Sequence, residues 1–271
     1  MKNLIIVRGG GDLATGTIYK LYKCGFPVLV LEVSRPSAIR RNAAFSEAVY
    51  EGSQRVEDVT CYLAGSLEEA EKLLAEGKLT MLVDPKGEAI AAFRPLGVVD
   101  AILAKKNLGT NRNMAPITVA LGPGFEAGED VDAVVETQRG HNLGRVLWQG
   151  KAAPNTGIPG IIGGYGKERV IYSPAAGILR HVCHITDTVT RGQTIAYIET
   201  DGEPVPVTAT LDGLLRGLLR DGYPVPEHFK IADIDPRTEE YNNCFTISDK
   251  SRCIAGGVVE AVLCRKGELG L

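Results

Sequence analysis

The chain has 271 residues, 44% hydrophobic and 23% charged, enough to bury a large core in one domain or two and too apolar for long disorder. Its 30 basic and 33 acidic residues leave a net charge of −3, which argues against nucleic acid as a partner. The opening apolar run stops after Val7 and no run of about 18 apolar residues follows, so a cytoplasmic chain without membrane contact is expected.

The first elements are sharply written. LIIVRG reads as a buried strand. Asp12 then caps a helix with Leu13, Thr17 and Leu21 on one face and Gly25 after its end. VLVLEV, residues 28–33, is a second buried strand. Further on, 67–77 reads as a helix, 79–85 as a strand and 97–107 as a helix. Residues 115–125 and 132–140 each hold a strand running into a glycine turn. Strands alternating with helices predict a Rossmann-like α/β domain over 1–150.

Residues 151–169 are dense in Gly and Pro and read as a linker. Beyond them an internal repeat emerges over 170–237. Residues 177–199 align without gaps onto 213–235, with seven identities (Gly177/Gly213, Leu179/Leu215, Arg180/Arg216, Val189/Val225, Ile195/Ile231, Ala196/Ala232, Ile198/Ile234). Neither half could bury its apolar face alone, which predicts a small β-barrel sandwich hybrid like the lipoyl and biotinyl carrier domains. The joining segment 200–210 contains no lysine to carry such a group, so carrier chemistry is not expected. The last segment, 238–271, holds a helix with Val258, Val259, Val262 and Leu263 along one face, packing back on the larger domain.

The chemistry-bearing stretch is RGGGDLATG. Gly9-x-Gly11-x-x-Ala14 fits the dinucleotide fingerprint with alanine in third place. Gly9, Gly10, Gly11, Asp12, Ala14 and Thr15 would line the turn, and the helix start offers N–H groups to a phosphate. Glu32 lies where an acid bonds a ribose hydroxyl; Arg35, Arg40 and Arg41 could hold a 2′-phosphate instead. Asp12 adds negative charge close to the phosphate position. NAD(P), another nucleotide or anion, and an empty packing turn all remain open.

Two glycine turns in 121–146 place Glu136, Arg139 and His141 where ligands collect at strand ends, as an acid–base and anion-clamping group. A Glu136–Arg139 pair is the structural alternative. Within the stretch that holds Asp100, Lys105, Lys106 and Asn107, Asp100 and Lys105 could face the same crevice, as could Asp84 at its strand end; a solvated helix end explains the two lysines equally well. His181, Cys183 and His184 do not match metal spacing and point to both sides of a strand, so no metal is expected. Asp233, Asp235 and Arg237 read as a salt-bridged corner. There is no evident activated nucleophile, and the six scattered cysteines show no C-x-x-C pair.

Taken together, RGGGDLATG, VVDAILAKKN, LGPGFEAGEDVDAVVETQRGHNLGRV, NTGIPG, KIADIDPR and ISDKSRCIAGGVVEA resemble the YqeB family, end to end. The resemblance implies an accessory role in the maturation of selenium-dependent molybdenum hydroxylases, with the hydroxylase or its other maturation proteins as partners. It supplies no catalytic residues. The N-terminal half also looks like the dehydrogenase domain of siroheme synthases, which implies an NAD(P)-dependent oxidoreductase instead, with His141 or Asp100 moving the proton. A third reading is a partner-binding module with a vestigial turn; a homo-oligomer fits any of these.

Overall fold

The computed structural model describes residues 1–157 and 159–271; Ile158, inside the linker and the NTGIPG segment, lies outside the described residues. The chain forms two compact units. The first takes in 1–36, 44–156 and 247–271, and the second takes in 37–43 and 157–246.

In the first unit, β1 (Ile5–Arg8), α1 (Asp12–Lys23) and β2 (Val28–Glu32) follow the buried runs of the sequence. Next come α2 (Ala48–Glu51), β3 (Ser53–Val56), β4 (Val59–Ala64), α3 (Leu67–Ala75) and β5 (Leu79–Val83). After α4 (Glu88–Phe93) come β6 (Gly97–Asp100) and β7 (Ile117–Leu121). Four short strands follow: β8 (Glu126–Ala127), β9 (Ala133–Val135), β10 (Val146–Leu147) and β11 (Gly150–Lys151). The final helix is α5 (Asp249–Glu268).

Nine of these strands make one sheet in the order β10-β9-β7-β6-β1-β2-β5-β4-β3, while β8 and β11 pair separately. The sheet is mixed: β3 and β10 run antiparallel at its two edges. This corrects the expected Rossmann-like domain plus barrel sandwich hybrid. The described residues instead build a nine-stranded mixed sheet and three smaller sheets. Two physical causes stand out. The segment 97–107, expected to be helical, is the four-residue strand β6 followed by an irregular loop, because GVVD is too short an apolar run to distinguish strand from helix. The turn at Glu57, in left-handed backbone at φ 56°, folds β3 back on β4 as an antiparallel edge.

Each face of the large sheet has its own core. Ile5, Val7, Val28 and Val30 pack with Ile18 and Leu21 of α1 and Ile254, Val258 and Val262 of α5. Leu4, Ile6, Leu29 and Leu31 pack with α3 and α4 on the other side. The buried stripe of α5 is Ser251, Ile254, Ala255, Val258, Ala261 and Val262; Leu263, expected on that stripe, is exposed. Helix α5 sits on α1 at very short range. Ser251 Oγ donates to the Leu13 carbonyl (2.9 Å) and accepts from the Gly16 N–H (3.2 Å).

The second unit contains β12 (Val170–Tyr172), β13 (Gly177–His181), β14 (Thr188–Val189) and β15 (Thr194–Glu199). These are followed by β16 (Val205–Thr208), β17 (Gly213–Leu218), β18 (Pro224–Val225) and β19 (Lys230–Asp235). They form two four-stranded antiparallel sheets, β12-β19-β17-β14 and β16-β15-β13-β18. The repeat halves exchange strands: β14 of the first pairs with β17, and β18 of the second pairs with β13. The repeated glycines have one shared cause. A Cβ at Gly177 would lie 2.2 Å from the Glu199 carbonyl oxygen, and one at Gly213 would lie 2.4 Å from that of Asp235.

The corner read from KIADIDPR is an ionic network. Asp233 binds Arg169 (2.8 Å) and Arg216 (2.7 Å), while Asp235, fully buried, binds Arg216 (3.1 Å) and Arg237 (2.8 Å). Burial pushes the Asp235 carboxyl up, but its bonds to Arg237 and the nearby Arg216 charge outweigh that and leave it below the usual carboxylate range.

Two outcomes follow. A Cβ at Gly16 would lie 2.2 Å from Ser251 Oγ and 2.9 Å from its carbonyl oxygen. Gly16→Ala therefore lowers stability by about 1–3 kcal/mol in urea unfolding, whereas Gly267→Ala, in open space on α5, does not. A carboxylate with a depressed folded pKa contributes stability above its unfolded pKa and loses it as pH falls through the folded value. Asp235→Asn should accordingly lose stability at neutral pH, and its deficit against the native chain should shrink in acid, followed by thermal melts from pH 7 to about pH 2.

Candidate functional site

The glycine turn lies at the carboxyl end of β1, between the sheet and the start of α1. Its first two glycines are fastened. Gly9, at φ 94°, donates its N–H to the Leu31 carbonyl (2.8 Å), and a Cβ there would lie 2.9 Å from the Ala101 carbonyl oxygen. Gly10 donates to Glu32 Oε1 (2.8 Å) and accepts from the Ser46 N–H (2.8 Å). A Cβ at Gly10 would meet Met81 Cε at 2.9 Å. Thr15 Oγ1 donates to the Gly11 carbonyl (2.9 Å) and accepts from the Phe45 N–H (3.0 Å), locking the turn to the segment beneath it. Ala14 is fully buried against the core.

Gly11 differs. Its φ of −62° suits any residue, and a Cβ built on it meets nothing within 4 Å. The helical hydrogen bonds of α1 begin with Thr15 N–H to the Gly11 carbonyl (2.8 Å), so the N–H groups of residues 12–14 have no acceptor within the helix. The turn thus has two glycines required by close packing and a third whose open side borders a helix N-terminus.

Glu32 is mostly buried and bridges two amides, with Oε1 on Gly10 and Oε2 on its own neighbour Val33 (2.7 Å). Burial raises its pKa, and the two amide bonds partly offset that. Arg35 is exposed. Arg40 and Arg41 belong to the second unit, where Arg40 Nη2 donates to the Asn243 carbonyl (2.8 Å) and Arg41 Nε to that of Leu218 (2.7 Å).

The expected convergence of Glu136, Arg139 and His141 does not occur. Glu136 is buried and accepts from the amides of Gln138 (2.7 Å) and Ala153 (2.8 Å), a staple within the loop. Arg139 pairs in two-pronged fashion with Asp249 at the start of α5 (2.9 and 3.1 Å), and not with Glu136. His141 sits exposed on a turn. Asp100 is buried and engaged with Arg8 and Thr110, an arrangement unlike that of a solvent-accessible proton donor. Asp84 caps α4 through the amides of Gly87 (2.9 Å) and Ala89 (2.8 Å), and Lys105 and Lys106 are exposed. In the second unit, His181 Nε2 bonds the Leu219 carbonyl (2.7 Å). Among the described residues, no group of three or more His, Cys, Asp or Glu side chains could hold a metal ion.

Several neighbours of the turn carried no sequence signal. Lys250 is partly buried; burial, with Arg139 adding, draws its amine below the usual lysine range, while Asp12 and Glu136 oppose that. Ser46 Oγ, buried next to Gly10, has no hydrogen-bond partner among the described residues. Arg8 could have been noticed as a charge closing an otherwise apolar strand.

These packing differences among the glycines are separable. Gly9→Ala is expected to destabilise by about 1–3 kcal/mol through its φ and the Ala101 contact. Gly11→Ala should stay within about 0.5 kcal/mol of the native chain in the same urea titration.

Comparison with known proteins adds the following. No family model matches the chain. Three solved structures align over most of it at very low likeness. The ectoine utilization protein EutE (DoeB) from Ruegeria pomeroyi is 12% identical, covering 86% of this chain and 84% of that one, with a TM-score of 0.27. An aspartoacylase family protein from Mesorhizobium loti is 12% identical over 85% and 84%, with a TM-score of 0.30. A succinylglutamate desuccinylase/aspartoacylase from Rhodobacter sphaeroides is 12% identical over 86% and 84%, with a TM-score of 0.27. Scores of that size carry no argument about fold or function. The uncharacterized protein YqeB of Escherichia coli K12 is 51% identical over 261 residues, which are 96% of this chain and 47% of that protein. On that match the chain belongs to the YqeB family, spanning about half the length of the curated relative it matches.

Proposed function

We propose that the glycine turn binds a nucleotide or a small anion, and that the chain serves as an accessory protein in the maturation of selenium-dependent molybdenum hydroxylases. The observation that supports binding is the contrast at Gly11. Gly9 is a glycine because the backbone around it leaves no room, and Gly10 is crowded by the Met81 side chain and the Ser46 backbone, whereas Gly11 has no packing reason to lack a side chain. A ligand approaching that open side would meet the N-terminal N–H groups of α1, which favour negative charge. Glu32 fits the same reading. Its oxygens each accept one amide and keep lone pairs for a sugar hydroxyl. The Gly10 N–H is already engaged by Glu32, so residues 11–14 would supply the backbone contacts. The accessory role rests on the family resemblance, and a hydroxylase or a second maturation protein would be its partner.

Calorimetric titration with NAD, NADP, ATP and CTP tests the site. Micromolar binding of one nucleotide, about −8 kcal/mol, should be lost in Gly11→Asp, which fills the open side with a negative charge. Absence of binding to all four, or equal binding by the variant, would remove the nucleotide from the proposal. The accessory role is checked separately by whether the hydroxylase loses selenium when it is produced without this protein.

A further inference from the structure

Arg8 ends β1 with its side chain only 6% exposed. Strand alternation puts it on the face of Leu4 and Ile6, opposite to Ile5, Val7 and helix α1. Its in-register neighbour is Asp100, the last residue of β6. Arg8 Nη1 donates to Thr110 Oγ1, and that hydroxyl donates in turn to Asp100 Oδ2 (2.5 Å). The other carboxylate oxygen accepts from the Ile102 N–H (3.1 Å). Arg8 Nη1 lies 3.7 Å from Asp100 Oδ2, an ion pair and not a hydrogen bond.

The guanidinium is therefore held firmly by one corner. Its Nε and Nη2 donate to no group among the described residues. Those two nitrogens form the edge that receives paired oxygens of a carboxylate or phosphate side by side. Neither nitrogen is among the fully sealed side-chain atoms that lack a partner, so this edge keeps access to solvent while the rest of the side chain is buried.

The location points the same way. From β1 the sheet grows through β2, β5 and β4 to one side, and from β6 through β7 and β9 to the other. The order of the strands reverses between β1 and β6, and ligands of open α/β sheets collect outside the carboxyl ends of strands at such a reversal. Arg8 and Asp100 are the two residues at those ends. The loop leaving Asp100 holds Leu103 and Lys105, neither of them glycine, in left-handed backbone at φ 60° and 62°. Such conformations persist where surrounding structure imposes them, and they cluster at ligand sites. On the opposite side, the Gly87 turn flanks Arg8 Nε.

We propose that the β1/β6 reversal is an oxyanion-binding site. There, Nε and Nη2 of Arg8 receive two oxygens of a carboxylate or phosphoryl group, while Asp100 and Thr110 hold the guanidinium in place. The site does not rest on a nucleotide at the glycine turn, since Arg8 lies on the other face of the sheet from α1.

The test is a nuclear magnetic resonance titration of the full chain carrying nitrogen-15 arginine. The Arg8 Nε–H signal is assigned through its own backbone, so the readout needs no folded variant. Malonate and inorganic pyrophosphate are titrated separately. A saturable shift of the Arg8 signal with malonate supports a carboxylate ligand, and one with pyrophosphate supports a phosphoryl ligand. Binding of the same anion, measured by calorimetry in the native chain and the variant, should weaken at least about tenfold in Arg8→Lys, which keeps the charge and loses the paired donors. It should survive in Gly11→Asp. A signal unmoved by both anions at millimolar concentration overturns the site. So does equal binding by Arg8→Lys, or loss of the Arg8 shift in Gly11→Asp, which would return the anion to the glycine turn.

Discussion

The absence of a side chain at Gly16 lets the two ends of the chain become one unit. Ser251 approaches α1 so closely that its hydroxyl replaces the missing Cβ, donating to a carbonyl of the first turn and accepting an amide of the next. Two helices in ordinary contact sit 8–10 Å apart; a glycine at the crossing permits closer approach and stiffens it. Because α1 starts directly after the glycine turn, this crossing also sets where the turn stands relative to the strand ends. Gly257 repeats the device farther along α5, where a Cβ would lie 2.2 Å from the Gly144 carbonyl oxygen.

Both units bury charge, and in different ways. The second unit gathers Arg169, Arg216 and Arg237 around Asp233 and Asp235, each carboxylate meeting two guanidinium groups. Mutual saturation of that kind offsets the desolvation cost and specifies one geometry, at little net gain in stability. Around Arg8 the pairing is thinner, one hydroxyl and one distant carboxylate. The contrast separates a structural network from a group with unused capacity.

Much of this was legible in the residues, for identifiable reasons. β1, α1 and β2 were readable because continuous apolar runs leave little choice, although the cap was misplaced: Gly11 holds the N-cap position and Asp12, expected there, is the first residue of the helix. The repeat was readable because Gly177 and Gly213 meet the same steric wall in each half. Residues 97–107 misled because a run as short as GVVD fits either strand or helix, and the sheet class misled because antiparallel edges arise from turns whose register the pattern does not encode. In the site, Gly9 to Gly11 stood out, but nothing in their spacing separates the glycines required for packing from the one with open space. Glu136, Arg139 and His141 looked convergent only because sequence proximity in a turn says nothing about side-chain direction. Arg8 passed unnoticed because a charge at the last position of a strand is ordinarily solvated.

The strand exchange within the repeat has a consequence of its own. Since β14 completes the sheet of β17 and β18 that of β13, a polypeptide holding a single repeat could finish neither sheet without borrowing from a second copy. Its folding would then depend on protein concentration, as in any obligate two-chain assembly. Joining the copies through residues 200–212 turns that encounter into an intramolecular step, governed by the length of a short tether.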